Sequence, residues 1–377
     1  MLEYGRATMQ EEAALLDFAN MVFSLSHEPT DFRALQPVVY DRPGFSKWTQ
    51  VARENGRILG MVCTPDKVLK AGEGRLRFGY IGTVSAHPYE RGRGIMKELM
   101  RRTIDAARDE GLDFLVLGGQ RQRYQHFGFE DAGAKLSLYL SQGSISHSRN
   151  NKSTGDYRFV DISDAQGDDI QQAFDLHQQG QLVCLRQEAD FVPILRNWRG
   201  RGILVYEDAR LLGYFYLNNN SVDEFAFYPG ADIPEMLLAY LQSARSGGVS
   251  LSLRPFELKD HPDLFASADS WQLTPPLMVR VFNWQAFLQT LLRFKVSRLP
   301  LHGGTRVLDI TGEGRFAITV SGSEVRVEAT SDPADMTLDP LAAVRLTTLA
   351  LSSSLYPEQP FFDWFPLPFD IPSADAF

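Results

Sequence analysis

The feature that most constrains this chain is a stretch, residues 78–129, in which strand and helix patterns alternate around a glycine turn. The apolar, β-prone run at residues 80–84 predicts a buried strand. Apolar residues at helical spacing between 95 and 107 predict an amphipathic helix that ends at Gly111. A second apolar run, Phe114–Leu117, predicts another buried strand. This order of elements is typical of a ligand site at the start of the helix.

The turn between the first strand and the helix reads Arg91-Gly92-Arg93-Gly94. A helix that begins there exposes unpaired backbone N–H groups at the positive end of its dipole, which favours phosphate. The arginines add positive charge, and the glycines let a ligand approach the backbone. A pyrophosphate fits this pattern, although the spacing is neither that of the Walker motif nor that of the dinucleotide-binding motif. The alternative is a basic, solvated helix start without a ligand.

With its flanking strands, this turn resembles the pyrophosphate loop of the GNAT family of acyl-CoA-dependent N-acyltransferases, which reads Arg/Gln-x-x-Gly-x-Gly/Ala. The match runs from Arg91 to Ile95, and Met96 stands where the usual residue is small. The chain is similar over its whole length to the Eis-like (enhanced intracellular survival) branch, in which an aliphatic or sulfur residue commonly takes that place. Residues 123–129 resemble the tyrosine loop of that branch, and the aromatic end of the chain resembles its C-terminus.

The resemblance implies an α/β fold with mixed (α+β) sheets, built as two tandem GNAT-like domains followed by a sterol-carrier-protein-like α/β domain. We expect a catalytic, acetyl-CoA-binding GNAT domain over residues 1–145. A second, degenerate GNAT-like domain without a CoA motif is expected over residues 146–276. Residues 277–377 are expected to form the sterol-carrier-like domain, with a C-terminal tail that returns to the active site.

Features of the sequence itself support this division. The polar segment 141–154 is typical of a linker. Residues 198–215 echo residues 48–62 and contain Arg-Leu-Leu-Gly against Arg-Ile-Leu-Gly, which indicates a duplicated fold. In the second copy, no Arg-x-x-Gly-x-Gly motif follows the strand predicted at residues 223–230. We therefore expect a phosphate site in the first copy alone.

The resemblance also implies which residues bind the co-substrate acetyl-CoA, without a metal ion. In this family the CoA strand diverges from its neighbour, and its backbone holds the pantetheine arm and the thioester carbonyl. Carried over to this chain, the cofactor site comprises part of that strand, the glycine turn with the start of the helix, and the end of the second strand: Val84, Ser85, Ala86, Arg91, Gly92, Arg93, Gly94, Ile95, Met96, Lys97, Gly119 and Gln120.

Tyr124 is the candidate general acid. Acetyl transfer to an amine needs a proton for the departing CoA thiolate, and a phenol with a pKa of about 10 is a neutral donor at pH 7. The position matches the catalytic tyrosine of the Eis-like branch. The alternative is a structural tyrosine whose ring packs beside Phe127 and Phe129, with its hydroxyl in solvent.

Residues 356–377 combine prolines with large apolar side chains, so they lack regular structure and yet must dock on something. The resemblance implies that this tail returns to the first domain and that the α-carboxylate of Phe377 is the general base. With a reference pKa of about 3.5, that carboxylate can take a proton from an ammonium group, through water. Asp375 is expected to add negative charge that attracts a cation. The alternative is a tail that packs on its own third domain or a neighbouring subunit without a chemical role.

The sequence constrains the acceptor substrate less than it constrains the co-substrate. In the GNAT fold the segment after the first helix borders the acceptor site, so His27, Glu28 and Asp31 are candidate contacts for an amine, with solvated loop residues as the alternative. The predicted activity is direct N-acetyl transfer to primary amines without a covalent acyl-enzyme. The Eis-like branch acts on aminoglycosides and some lysine side chains, and the sequence does not select among these, other polyamines and small metabolites. The rival prediction is a non-catalytic CoA- or lipid-binding sensing protein.

Composition limits the other classes of partner. A net charge of −9 argues against nucleic acid, and no apolar run approaches the length of a membrane span. The first residues lack a signal-peptide pattern, and two cysteines far apart indicate neither a disulfide framework nor a metal site. We therefore expect a cytoplasmic enzyme, and the resemblance implies a homo-oligomer.

Overall fold

The computed structural model describes residues 1–25, 28–152, 154–165 and 167–377. These residues form two compact units. The first contains Met1–Gly133, Pro275–Ile371 and Phe377, and the second contains Ala134–Thr274 and Pro372–Ala376. Helices alternate with mixed sheets in both units, so the predicted α/β class is confirmed. The three-domain division at residues 145 and 276 stays a prediction.

The first part of the first unit contains the predicted site. Its helices and strands, in chain order, are β1 (Leu2–Arg6), α1 (Glu12–Ser24), α2 (Phe32–Leu35), α3 (Pro37–Tyr40), β2 (Thr49–Glu54), β3 (Arg57–Cys63), β4 (Asp66–Ala71), β5 (Gly74–Tyr80), β6 (Gly82–Ala86), α4 (Ile95–Asp109), β7 (Phe114–Leu117), α5 (Arg121–Tyr124) and β8 (Glu130–Ala132). The predicted helix after the glycine turn is α4 and the predicted second strand is β7, so both predictions are confirmed.

The second unit follows in the chain. Its elements are β9 (Lys135–Ser141), α6 (Gln142–Ser148), β10 (Tyr157–Asp161), α7 (Asp168–Gln179), β11 (Leu182–Cys184), α8 (Glu188–Ile194), β12 (Arg201–Glu207), β13 (Arg210–Asn218), β14 (Ser221–Phe227), α9 (Ile233–Ser243), β15 (Gly248–Leu253), α10 (Pro262–Ala266) and β16 (Ser270–Thr274). Seven of these strands form one sheet in the order β10-β12-β13-β14-β15-β9-β16.

The chain then returns to the first unit. The elements there are β17 (Leu277–Val281), α11 (Trp284–Arg298), β18 (Gly304–Ile310), β19 (Gly314–Ser321), β20 (Glu324–Ala329), β21 (Met336–Leu338), α12 (Pro340–Thr348) and α13 (Ser352–Leu355). Strands β18 to β21 form a sheet in the order β20-β19-β18-β21. Across the residues described in both units, no helix has the length and apolarity needed to cross a membrane.

One predicted strand is in fact two. The run at residues 80–84 was expected to be continuous, but β5 ends at Tyr80 and β6 begins at Gly82. Strand β5 pairs in parallel with β7, whereas β6 pairs in an antiparallel manner with β3. The N–H of Ile81 donates to the carbonyl of Val116 at 2.8 Å, where the chain passes from one sheet to the other. The prediction was wrong because a uniformly apolar run does not reveal a change of sheet.

The sequence echo between the units has a structural counterpart. Hairpins β2–β3 and β12–β13 each contain a register shift of one residue, which follows the second residue pair counted from the turn. In the first hairpin Gly60 pairs with Ala52, and in the second Gly213 pairs with Val205. Both glycines end the repeated Arg-Ile/Leu-Leu-Gly sequence, so the bulge recurs at the same place in each copy.

The segment predicted to be a polar linker, residues 141–154, is partly helical. Strand β9 ends at Ser141, and α6 follows at once. The hydroxyl of Ser141 accepts a hydrogen bond from the backbone N–H of Ser144 at 3.1 Å, which caps the helix. The prediction was wrong because serine is as typical of a helix cap as of a loop.

The aromatic part of the tail, residues 361–369, docks within the first unit. Phe361, Trp364 and Phe369 are fully buried or nearly so, and the Phe369 ring centre lies 5.3 Å from that of Phe287 on α11. The ammonium group of Lys295, also on α11, donates to the backbone carbonyls of residues 363, 364 and 366. The expectation that the large apolar side chains of the tail are buried is confirmed for these three, whereas Phe362 is 43% exposed.

The second unit contains a buried ionic cluster. The guanidinium of Arg186 donates to both carboxylate oxygens of Glu224, at 2.8 and 2.6 Å, and to Asp375 at 2.7 Å. The hydroxyl of Tyr214 donates to Glu224 at 2.7 Å. Burial alone would raise the pKa of Glu224, but the charges and hydrogen bonds of Arg186 and His177 together outweigh it and hold that pKa well below its ordinary value. Arg186 is therefore the cation that the two carboxylates share.

Replacing Arg186 by Met should destabilise the protein strongly, because it removes the guanidinium that pairs with two buried carboxylates. We expect the free energy of unfolding to fall by about 3–5 kcal/mol. The matched control is Arg201→Met, because the Arg201 side chain is 57% exposed and pairs with Asp161, and it should cost less than about 1 kcal/mol. Denaturant unfolding measures both values, and equal losses would contradict the special role of the buried arginine.

Candidate functional site

A cavity of about 870 Å³ lies in the first unit, between the end of α1, strand β6, the start of α4 and the segment after β7. Except for Arg93 and Gly119, all the residues predicted to bind the cofactor line it: Val84, Ser85, Ala86, Arg91, Gly92, Gly94, Ile95, Met96, Lys97 and Gln120. Residues far apart in sequence thus converge on one space. Its volume lies in the upper range of small-molecule sites.

Sequence reasoning missed four residues that line this cavity, Val22, Phe23, Glu90 and Arg123. The first two lie in the last turns of α1, where the apolar stripe of the helix predicts burial but not a ligand wall. Glu90 directly precedes the basic turn, and Arg123 precedes Tyr124. Glu90 and Arg123 could have been predicted from the sequence, because each is adjacent to a predicted site residue.

The start of α4 is open to a ligand. Gly92 and Gly94 have φ angles of 83° and 74°, which disfavour side chains, and a Cβ atom on either would meet nothing within 4 Å. Gly94 is the N-cap of α4 and has no side chain to satisfy the first N–H groups of the helix. The backbone here therefore offers donors at the positive end of a helix of 15 residues.

The two arginines of the turn differ in their surroundings. Arg91 is exposed and lines the cavity. Arg93 pairs with Glu54 at 3.0 Å and with Glu90 at 2.6 Å. These ion pairs tie the turn to the hairpin β2–β3 and to the residues that precede it. Of the two arginines, Arg91 is therefore the one placed to meet an anion.

Strand β6 and helix α4 are packed closely against β3. A Cβ atom on Gly60 would lie 2.8 Å from Cγ2 of Ile95 and 3.0 Å from the carbonyl oxygen of Ser85, so this position excludes a side chain. The hydroxyl of Ser85 is buried and has no hydrogen-bond partner among the described residues. A buried, unsatisfied hydroxyl at a cavity wall is suited to a bond with a bound molecule.

Tyr124 ends α5 and is 8% exposed. Its ring lies against Gly119, where a Cβ atom would be 2.9 Å from Cε2 of the tyrosine. Burial raises the pKa of Tyr124 above its ordinary value, and the charge of Arg123 opposes that shift. The phenol is therefore protonated at neutral pH and can donate a proton.

A buried carboxylate holds the segment that carries Tyr124. Glu130 is fully buried, and it accepts hydrogen bonds from Arg121 at 2.8 Å and from Gln125 at 3.1 Å, on either side of the tyrosine. Arg345, on α12, also donates to it. Burial would raise the pKa of Glu130, but its hydrogen bonds, chiefly with Arg121, lower it below the ordinary value. Sequence reasoning gave no signal for this cluster, because its members lie up to 215 positions apart in sequence.

Phe377 lies beside β6 in the first unit. A Cβ atom on Gly82 would be 2.5 Å from Cδ1 of Phe377 and 2.9 Å from its carbonyl oxygen, so the contact needs glycine. The ring of Phe377 lies 5.8 Å, between centres, from that of Tyr40 on α3. The last residue of this chain is thus next to the strand whose residues 84–86 line the cavity.

The residues predicted to contact an amine do not form one group. His27 lies outside the described residues. Glu28 and Asp31 are exposed, and Asp31 caps α2 by accepting a hydrogen bond from the N–H of Arg33 at 3.0 Å. Asp375 was expected to present its charge to a cation, but it is 1% exposed and paired with Arg186. That expectation is corrected, because a buried carboxylate already paired with arginine is not presented to a ligand.

Comparison with known proteins identifies part of the chain and the fold of nearly all of it. Residues 3–132 match the family described as "Acetyltransferase (GNAT) domain". No curated protein sequence matches the chain. The likeness to solved structures extends well beyond the residues that the family match covers.

Three solved structures share the fold at low sequence identity. A GCN5-related N-acetyltransferase from Kribbella flavida is 17% identical, with a TM-score of 0.66 over 92% of this chain and 89% of that one. A conserved protein of unknown function from Enterococcus faecalis V583, a probable N-acyltransferase, is 15% identical, with a TM-score of 0.68 over 95% and 93%. Eis1 from Mycobacterium abscessus is 14% identical, with a TM-score of 0.61 over 92% and 89%.

At these identities the solved structures establish a common fold rather than a common substrate. The match over residues 3–132 covers α1, β6 and α4, which line the cavity, and it also covers Tyr124. Residues 3–132 therefore form a GNAT acetyltransferase domain, and the protein is an acyltransferase.

Proposed function

We propose that this protein is an acetyl-CoA-dependent N-acetyltransferase that acts on primary amines. The observation that carries the proposal is the convergence, within a GNAT domain, of the β6 backbone and the open start of α4 on one cavity. The helix start receives the pyrophosphate, assisted by Arg91 and Lys97. The pantetheine arm lies along residues 84–86, where the Ser85 hydroxyl is buried and unsatisfied.

The chemistry is a direct transfer. The amine nitrogen attacks the thioester carbonyl carbon, the new C–N bond forms, and the C–S bond breaks to release CoA. N–H groups of β6 stabilise the oxyanion as it develops. Tyr124, whose phenol is protonated at neutral pH, gives its proton to the departing thiolate.

The amine must lose a proton in the same reaction. In the chain that ends at Phe377, the terminal carboxylate takes this proton, directly or through one water molecule. Its position beside Gly82 supports this role, because Gly82 begins the strand that continues into the cavity wall. The products are an N-acetyl amine and free CoA thiol.

The proposed acceptors are aminoglycosides, other polyamines or lysine side chains. A net charge of −9 favours cationic ligands over anionic ones. We also propose that residues 277–377 form a sterol-carrier-like domain. In support of this proposal, helix α11 packs against strand β20 of the four-stranded sheet β20-β19-β18-β21. The proposed protein is a cytoplasmic homo-oligomer.

Arg91→Gln should weaken CoA binding, because it removes a charged donor from the cavity. A hydrogen bond to a charged group contributes about 1.5–3 kcal/mol, so the Kd for CoA should rise at least about tenfold. The control is Arg101→Gln on α4, since Arg101 is 57% exposed and pairs with Glu98 and Asp105. Calorimetric titration with CoA measures both, and equal affinities in the two variants would contradict the assignment.

Tyr124→Phe should lower kcat and leave CoA binding intact, because it removes the donor for the thiolate and little volume. The expected loss is about 10²- to 10⁴-fold. Thiol release from acetyl-CoA over a panel of aminoglycosides, polyamines and lysine peptides measures it, with Tyr139→Phe in the second unit as the control. Unchanged turnover in Tyr124→Phe would refute the assignment, and CoA binding by the native protein without any acetyl transfer would favour a sensing protein.

Gly82→Ala should displace Phe377, because the new methyl group would occupy the space of its ring. A shift of about 1 Å in a catalytic group can cost about 10²-fold in rate, so kcat should fall by a comparable factor while CoA affinity persists. Gly118→Ala is the control, since a Cβ atom there meets nothing within 4 Å. A chain that ends at Ala376 should lose activity in the same way, and full activity in both altered proteins would exclude the terminal carboxylate as the base.

A further inference from the structure

Strand β6 contains a strained bulge. Its register with β3 runs from Met61 opposite Ser85 to Cys63 opposite Gly82, so Thr83 and Val84 both lie across from one residue. Thr83 has a φ angle of 45°, which a β-branched residue rarely adopts. Such a conformation costs about 1–3 kcal/mol and persists only where the surroundings hold it. The bulge directly precedes the residues that line the cavity.

Tyr40 holds this bulge from one side. Its hydroxyl and that of Thr83 are hydrogen-bonded to each other, and both residues are buried. Burial raises the pKa of the Tyr40 phenol well above its ordinary value, and burial raises the pKa of the neighbouring Cys63 thiol to about 12. Both groups therefore stay neutral over the ordinary pH range.

The ring of Tyr40 is fixed as well. It lies 4.9 Å, between centres, from Phe45 and 5.8 Å from Phe32. On another side it meets the ring of Phe377, at 5.8 Å. One side chain on the short helix α3 thus contacts both the strained bulge and Phe377.

We propose that Tyr40 is a positioning residue for acyl transfer, holding Thr83 in its strained conformation so that the β6 backbone keeps the orientation that the thioester oxygen requires. The inference rests on the proposed function. A bulge takes its extra residue out of the ladder, which leaves a backbone N–H available to a ligand. Without the tyrosine hydroxyl, Thr83 relaxes toward an extended conformation and that N–H turns away. The same ring keeps Phe377 beside Gly82.

Tyr40→Phe tests the hydroxyl alone, because the ring and its contact with Phe377 remain. We expect kcat to fall about tenfold, the effect of losing roughly 1.4 kcal/mol of alignment, with KM for acetyl-CoA within about twofold of the native value. Hydrogen exchange of the amides at residues 82–86 should become faster in the same variant. Tyr139→Phe in the second unit, which removes an exposed hydroxyl, is the control and should behave like the native protein.

Two substitutions at Thr83 separate strain from ordinary packing. Thr83→Val removes the hydroxyl and keeps the strain, so it should lose activity as Tyr40→Phe does. Thr83→Gly also removes the hydroxyl, but glycine adopts this φ angle at no steric cost. It should therefore be more active than Thr83→Val, even though it removes more of the side chain. If Thr83 served only to fill space, Thr83→Val would instead be more active than Thr83→Gly.

The outcomes distinguish this inference from the proposed function. If the native protein shows no acetyl transfer over the amine panel, the proposed function fails, and the exchange rates at residues 82–86 still decide whether Tyr40 holds the bulge. If the native protein is active and Tyr40→Phe matches it in both kcat and exchange, the inference is wrong. A lower activity of Thr83→Gly than of Thr83→Val would also overturn it.

Discussion

The separation of β6 from β7 at Ile81 is the constraint on which the first unit depends. Up to Tyr80 the chain is paired in parallel with β7, and from Gly82 onward it is paired with β3. The side of β6 that faces away from β3 then has no ladder partner in β7. A buried backbone group left unsatisfied costs about 1–3 kcal/mol, so such a gap is tolerated where a ligand or water completes the hydrogen bonds. The cavity lies at this gap.

Much of this site was predictable because its signals are local. The glycine turn, the helix α4 and the strand β7 each follow from a short pattern that the chain cannot satisfy in another way. The change of sheet at Ile81 was not predictable, since it depends on which neighbour offers a partner. The prediction for Asp375 failed for the same reason, because it depended on a distant partner. The sequence around Asp375 does not reveal that its carboxylate pairs with Arg186, which lies 189 positions earlier.

The later part of the chain belongs physically to the same unit as the GNAT domain. Strand β17 pairs with β7 on one side and with β8 on the other, so it lies between two strands of the matched domain. Arg345 on α12 then reaches Glu130, the carboxylate that also binds Arg121 and Gln125. The segment that carries Tyr124 is therefore held from both parts of the sequence, and truncation after residue 145 would remove a sheet strand and a charged partner together.

The two copies of the fold differ at the start of the helix that would receive an anion. The N-cap of helix α4 is Gly94, which leaves the first N–H groups of the helix open. The N-cap of helix α9, at the corresponding place in the second copy, is Asp232, whose carboxylate accepts a hydrogen bond from the N–H of Glu235 at 3.0 Å. Pro234 in the same turn has no N–H at all. The carboxylate of Asp232 therefore already accepts a hydrogen bond at the N-terminus of α9. A phosphate there would be repelled by this negative charge and would find fewer free N–H donors.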